Sequence, residues 1–182
     1  MNRVRIIGGA WRSRIITFPP VPGLRPTPDR VRGTLFNWLG QDLSGKACLD
    51  LYAGSGALGF EALSRGAARV VMVESDRRAA QALRENGGRL GAANLEVVAT
   101  DALQFLRSDR RAFDVVFLDP PYGSGVLPDI LGQLGGHLAP EGRVYAESGE
   151  ALALPPGWTA LREGRAGAAH YHLLAKAPHA DD

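Results

Sequence analysis

Residues 47–59 read Ala-Cys-Leu-Asp-Leu-Tyr-Ala-Gly-Ser-Gly-Ala-Leu-Gly, and this stretch decides the fold. Its first half, Ala47–Tyr52, is a short apolar run that reads as a buried strand. Gly54-Ser55-Gly56 then turns the chain, and a helical segment follows around residues 57–65. Strand, tight glycine turn and helix make the opening half of a parallel βαβ unit.

The pattern repeats outward from there. Arg69–Glu74 is a second strand and 76–90 a second helix; Leu95–Ala99 is a third strand, with a helix after Asp101. Asp114–Asp119 is a fourth strand, apolar throughout its interior, followed by a helix near 126–137 and a strand at Arg143–Glu147. Weaker strands are expected near 158–162 and 170–175. Strand and helix alternate five times, which predicts an α/β domain with a doubly wound, mostly parallel, Rossmann-like sheet. In such sheets ligands bind beyond the carboxyl ends of the strands, so the chemistry is expected just after residues 51, 74, 99 and 119.

Upstream, residues 3–7 and 14–18 are β-prone and flank Gly8-Gly9, as in a hairpin-like extension. Five prolines between Pro19 and Pro28 keep the next stretch extended, and Asp29 opens a helix carrying Val31, Leu35, Phe36, Trp38 and Leu39. The expected organisation is a basic amino-terminal extension (1–45), a catalytic domain (46–177) and a polar tail (178–182).

Charge is unevenly placed. Residues 1–45 hold seven Arg against two Asp, a net of +5, whereas the remainder carries a net of −3. Arg5, Arg12, Arg14, Arg25, Arg30 and Arg32 are therefore candidates for contact with nucleic-acid phosphate. With 45% hydrophobic and 22% charged residues the composition is that of a globular protein rather than a disordered one. Cys48 is the only cysteine, which rules out an internal disulfide and a cysteine metal cluster, and His170 and His172 without a nearby acid make a poor metal site on what reads as a solvated strand face. No metal is expected. The first residues lack the apolar core of a signal peptide and no run is long enough to span a bilayer, so a cytoplasmic protein without a membrane partner is expected.

Three acids end three successive strands. Asp50 precedes the glycine turn, where a carboxylate suits a cationic ligand and would repel a pyrophosphate. Glu74 lies 20 residues after Gly54, placed to accept hydrogen bonds from ribose hydroxyls. Asp101 follows the third strand, placed to accept an adenine amino group beside the backbone of Ala102, and it also suits a helix N-cap. With Gly54, Ser55 and Gly56, they describe an adenosyl site. A nicotinamide-dependent oxidoreductase would also use Gly54-x-Gly56-x-x-Gly59, but its catalytic constellation is missing.

Asp119-Pro120-Pro121-Tyr122 is the sharpest signal. Two prolines after a buried strand stiffen the loop and remove two N–H donors. The Asp119 carboxylate and the Pro120 carbonyl then offer two acceptors to the two hydrogens of an exocyclic amino group. Held this way, the nitrogen lone pair turns toward a sulfonium methyl, and positioning supplies much of the rate. The carboxylate stabilises the positive charge that develops on nitrogen, and Tyr122 offers a ring on which an extruded base can stack.

D-x-x-x-G-x-G followed by D-P-P-Y resembles the class I amino-methyltransferases. More narrowly, the chain is similar to the bacterial RsmD family of 16S rRNA guanine-N2 methyltransferases. The likeness rests on Arg5-Ile-Ile-Gly-Gly-Ala-Trp11-Arg12, on Leu24-Arg25-Pro-Thr27-Pro-Asp29-Arg30-Val-Arg32, on Thr34-Leu-Phe-Asn37-Trp38-Leu, and on Asp50 through Gly59 with Glu61-Ala-Leu-Ser-Arg65. It implies S-adenosylmethionine as methyl donor, held by Asp50, Gly54, Gly56, Glu74 and Asp101. It implies the N2 of one guanine as target, held by Asp119–Tyr122, in 16S rRNA, a small ribosomal subunit or an assembly intermediate. It implies RNA contact by the arginine-rich segment up to Arg32, with Thr27, Asp29 and Arg30 near the target. A monomer is expected. The same-class alternative is a DNA adenine or cytosine amino-methyltransferase, against which the lack of a sizeable target-recognition domain counts; a nonenzymatic RNA-binding module would have no use for Asp119.

Overall fold

The computed structural model describes residues 1–24 and 26–178. Arg25 and the end of the expected polar tail, residues 179–182, lie outside the described residues.

β1 (Asn2–Arg5) and β2 (Ile15–Phe18) pair antiparallel as the expected hairpin-like extension, and α1 (Asp29–Leu39) follows the proline-rich stretch. The alternating part runs β3 (Ala47–Asp50), α2 (Ala57–Ser64), β4 (Arg69–Val73), α3 (Arg77–Leu90), β5 (Leu95–Val98), α4 (Ala102–Ser108), β6 (Phe113–Leu118), α5 (Leu127–Leu134) and β7 (Leu138–Ser148). β8 (Trp158–Ala166) and β9 (Ala169–Lys176) close the chain as a hairpin. The seven strands from β3 onward form one sheet in the order β5-β4-β3-β6-β7-β9-β8. The first five of these are parallel and β9 runs antiparallel between β7 and β8. The doubly wound, mostly parallel sheet is thus present, and its strand order reverses between β3 and β6.

Both faces of the sheet are covered, and the strands' alternation assigns side chains to them. Cys48, Val70, Met72, Val115 and Phe117 pack on the face beneath α1, α2 and the β1–β2 hairpin, in one core with Val4, Ile16, Phe36 and Phe60. Leu49, Val71, Val116 and Leu118 pack on the other, with Phe105, Ile130 and Leu131 of α4 and α5. The hairpin and α1 therefore belong to the domain's own core and are not a detached arm.

Caps follow the sequence. Asp76 accepts from the N–H of Ala79 at 2.9 Å at the start of α3, and Gly91 ends that helix in the left-handed region at φ 70°. α5 is shorter than the expected 126–137: Gly135 and Gly136, poor helix formers, lead into a 3₁₀ turn at Gly135–His137. β8 and β9 are longer than expected, because their pairing runs unbroken from Trp158 opposite Lys176 to the turn at Gly167, apart from one irregularity after Ala160.

Candidate active site

A cavity of about 850 Å³ opens beyond the carboxyl ends of β3, β4, β6 and β7. Its floor is the glycine loop. That loop is pinned on both sides of β3: Leu51 N–H donates to Phe117 of β6 at 3.2 Å, and Ala53 N–H to Val73 of β4 at 3.0 Å. Gly54 and Gly56 both have positive φ, at 54° and 83°. At Gly56 a Cβ would also stand 2.6 Å from the Phe60 ring and 2.7 Å from Leu83, so only glycine packs there.

Glu74 ties the loop down and lines the cavity. Its Oε2 accepts from Gly54 N–H at 2.9 Å and its Oε1 from Asp76 N–H at 3.1 Å. Asp50 is 1% exposed, and its Oδ2 accepts from Gly59 N–H at 3.1 Å. Burial pushes the Asp50 carboxyl up to about 7, helped by the nearby Glu74 and opposed by the Gly59 hydrogen bond. A buried acid of this kind is primed for a ligand that brings positive charge. Ser55 lines the cavity as well, and its Oγ accepts from Ala57 N–H at 3.2 Å.

Asp101 and Ala102 are not in the lining. Asp101 is exposed and caps α4, accepting from Gln104 N–H at 2.9 Å. It is still felt at the cavity wall: burial first, and then the charge of Asp101, raise the Tyr52 phenol, which does line the cavity.

Asp119, Pro120, Pro121 and Tyr122 follow β6 and line the same cavity. Asp119 Oδ2 accepts from the Thr27 hydroxyl at 3.2 Å. Thr27, grouped with the RNA-facing residues in the sequence, is 4% exposed and faces this acid from the proline-rich stretch, whose Val21, Leu24 and Pro26 also line the cavity. The Asp119 carboxyl is held well above the usual carboxylate range by burial, then by the charge of Glu147, with a smaller push from Asp50; the Thr27 bond pulls the other way. The Tyr122 ring lies against Gly149, where a Cβ would come within 2.9 Å of it, and its hydroxyl donates to Glu147 Oε1 at 2.8 Å.

Arg5, Arg12, Arg14 and Arg30 are exposed, as RNA contact requires. Arg32 is not, and for it that expectation is corrected. It is 0% exposed, and its guanidinium donates to the carbonyls of Thr27 at 3.0 Å and Arg5 at 2.9 Å while pairing with Asp29 and with Glu61 at 3.4 Å. Glu61, 0% exposed, also accepts from the N–H groups of Ile7 and Gly8 and from Arg65. This network clamps the extension to α2 and fixes Thr27 over Asp119. His172 is corrected too: it is 7% exposed, not on a solvated face, and burial lowers its pKa. Among the described residues no group of three or more His, Cys, Asp or Glu is arranged to hold a metal, and no helix is long and apolar enough to cross a membrane.

Glu147 and Tyr145 are the site residues that sequence reading missed. Glu147 lies one residue from the end of β7, much as Asp50 ends β3, so its place near a strand terminus was the available signal.

Known proteins resemble this chain over nearly its whole length. The family model described as conserved hypothetical protein 95 matches residues 4–175. The ribosomal RNA small subunit methyltransferase D of Escherichia coli strain K12 is 46% identical over 180 residues, spanning 96% of this chain and 91% of that protein. Its counterpart in Haemophilus influenzae is 41% identical over 94% of this chain and 93% of its own length. The solved structure of the Escherichia coli protein yhhF superposes with a TM-score of 0.87 at 45% identity, covering 96% of this chain and 98% of that one.

Proposed function

The chain belongs to the conserved hypothetical protein 95 family, the RsmD family of ribosomal RNA methyltransferases, and on that premise we propose that it transfers a methyl group from S-adenosylmethionine to the exocyclic N2 of a guanine in 16S ribosomal RNA. The observation that carries this reading is that Asp119–Tyr122 line one cavity together with the glycine loop, Glu74 and Asp50.

The residues present fit an adenosyl donor. Glu74 lines the cavity with an acceptor side chain suited to ribose hydroxyls, and Asp50 offers a buried acid to a cationic amino-acid moiety. Asp101, although outside the lining, has its charge felt at Tyr52 in the cavity wall, and the adenine amino group is assigned to that side. The donor supplies a methyl group activated on a sulfonium and leaves as a neutral thioether. The protein's own work is positional. Asp119 and the Pro120 carbonyl accept the two amino hydrogens, which orients the nitrogen lone pair along the line of displacement. Thr27 holds the Asp119 carboxylate in place, and Tyr122 forms the wall beside an extruded base. The exposed arginines of the extension, Arg5, Arg12, Arg14 and Arg30, lead RNA phosphate toward this opening, in the cytoplasm and on a small-subunit assembly intermediate or the subunit itself.

The reading is tested by incubating the protein with labelled donor and three acceptors: naked 16S rRNA, small subunits lacking base methylation, and duplex DNA. Label on a guanine N2 of RNA or subunit is the expected result. Label on DNA alone would leave the amino-transfer chemistry and overturn the substrate.

A further inference from the structure

Leu118 of β6 stands opposite Ala146 of β7 in a parallel register, so the next residues, Asp119 and Glu147, emerge side by side from neighbouring strands about 4.8 Å apart. Both line the cavity, and they lie within hydrogen-bond reach of each other. Glu147 is 4% exposed. Its Oε1 accepts from the Tyr122 hydroxyl at 2.8 Å and its Oε2 from the Tyr145 hydroxyl at 3.0 Å. Neither acid makes an ion pair with a cation among the described residues. The groups around them are Thr27 on the proline-rich stretch, Asp50 on β3, Tyr122 on the loop, Tyr145 on β7, and Tyr171, the register partner of Glu147 on β9. Every titratable group in that set is acidic or a phenol. Beside a second buried carboxyl and with no cation at hand, Asp119 gives up its proton less readily than a lone acid would.

We propose that Glu147 is a positioning residue of the methyl transfer: anchored by Tyr122 and Tyr145, it abuts Asp119 and makes that carboxylate a strong enough base to take the proton released by the methylated nitrogen. The inference rests on the amino-methyltransferase reading above. As the N–C bond forms and the C–S bond breaks, positive charge builds on the amino nitrogen. One of its hydrogens passes as a proton to Asp119, is shared with Glu147, and goes on to water. Asp119 alone, without its neighbour, would be a weaker base.

The burial of Asp119 and the charge of Glu147 both push the Asp119 carboxyl up. The base must be ionised to act, so activity falls as pH drops through the titration of Asp119. Glu147→Gln removes a like charge beside Asp119. Its acid limb in kcat should move down by about one pH unit or more, and its plateau kcat should fall by about tenfold or more, with KM for RNA little changed. Carbon-13 carboxyl titration of Asp119, in wild type and Glu147→Gln, reads the coupling without any turnover, and donor calorimetry shows that the variant is folded. A downward shift of the Asp119 titration and of the acid limb supports the proposal. An unmoved limb in an enzyme that labels RNA overturns it and leaves the function standing. If the wild type labels nothing, the function falls, and an unshifted Asp119 titration overturns the pairing as well.

Discussion

At the scale of single residues, burial pushes two acids of this site, Asp50 and Asp119, above the usual carboxylate range. Asp119 is the central one, and Asp119→Ala should lower methyl transfer by about a thousandfold or more while leaving donor affinity within a few-fold, because the change removes an acceptor of the base and not of the donor. Transfer assays and calorimetry on the same preparation read both numbers. Asp50 makes a different prediction. Its carboxyl titrates at about 7 in the folded protein, pushed there by burial. A raised folded-state value means that Asp50 contributes to stability below the usual carboxylate range and loses that contribution as pH rises through about 7. A cationic donor favours the ionised form, so donor affinity should weaken by up to about tenfold per unit as pH falls below that value. Calorimetry from pH 5.5 to 8.5, chosen to straddle about 7, should show proton release on binding at the acid end. A flat profile there would remove Asp50 from the donor site.

At the scale of elements, the join between the β1–β2 hairpin and α2 decides whether the extension is anchored. Gly9 has φ 79°, and a Cβ on it would stand 2.0 Å from the carbonyl oxygen of Ser64, backbone that cannot retreat. Gly9→Ala should therefore cost about 2–4 kcal/mol, the sum of a left-handed penalty and overpacking, and lower the melting temperature by roughly 5–15 °C. The alternating strands and helices were legible because each carries its own period and because Asp50, Glu74 and Asp119 sit at or directly after strand ends. Arg32 was not. In sequence it is one more arginine in a basic run, and its burial comes from Glu61, 29 residues away on another element. The β8–β9 hairpin was only half legible, since its outer strand carries Arg162, Glu163 and Arg165 on the sheet's edge, which hides the alternation. Glu147 had a strand-end position but no motif around it to mark it.

At the scale of the whole molecule, the arginines divide into two groups with opposite signatures. Arg12→Ala should leave the melting temperature unchanged and weaken RNA binding, with the slope of log affinity against log salt falling by about 0.7–0.9 for each phosphate that the side chain no longer neutralises. Arg32→Ala should do the reverse. It leaves Glu61 short of a partner inside the core, at a cost of about 3–5 kcal/mol, and should not change the salt slope of whatever remains folded. Thermal unfolding and filter binding on the two variants separate an RNA-facing surface from an internal clamp. Equal salt slopes in Arg12→Ala and wild type would take Arg12 off the RNA face.

The most direct test of the central claim is where the methyl group goes. Wild type and Asp119→Ala are each given labelled S-adenosylmethionine with 16S rRNA and with small subunits lacking base methylation, and the nucleosides are identified by mass spectrometry after digestion. N2-methylguanosine from wild type, absent with Asp119→Ala although donor binding persists, is the result the account predicts. A methyl group on a ring carbon, on a ribose or on protein, or transfer that survives in Asp119→Ala, would contradict it.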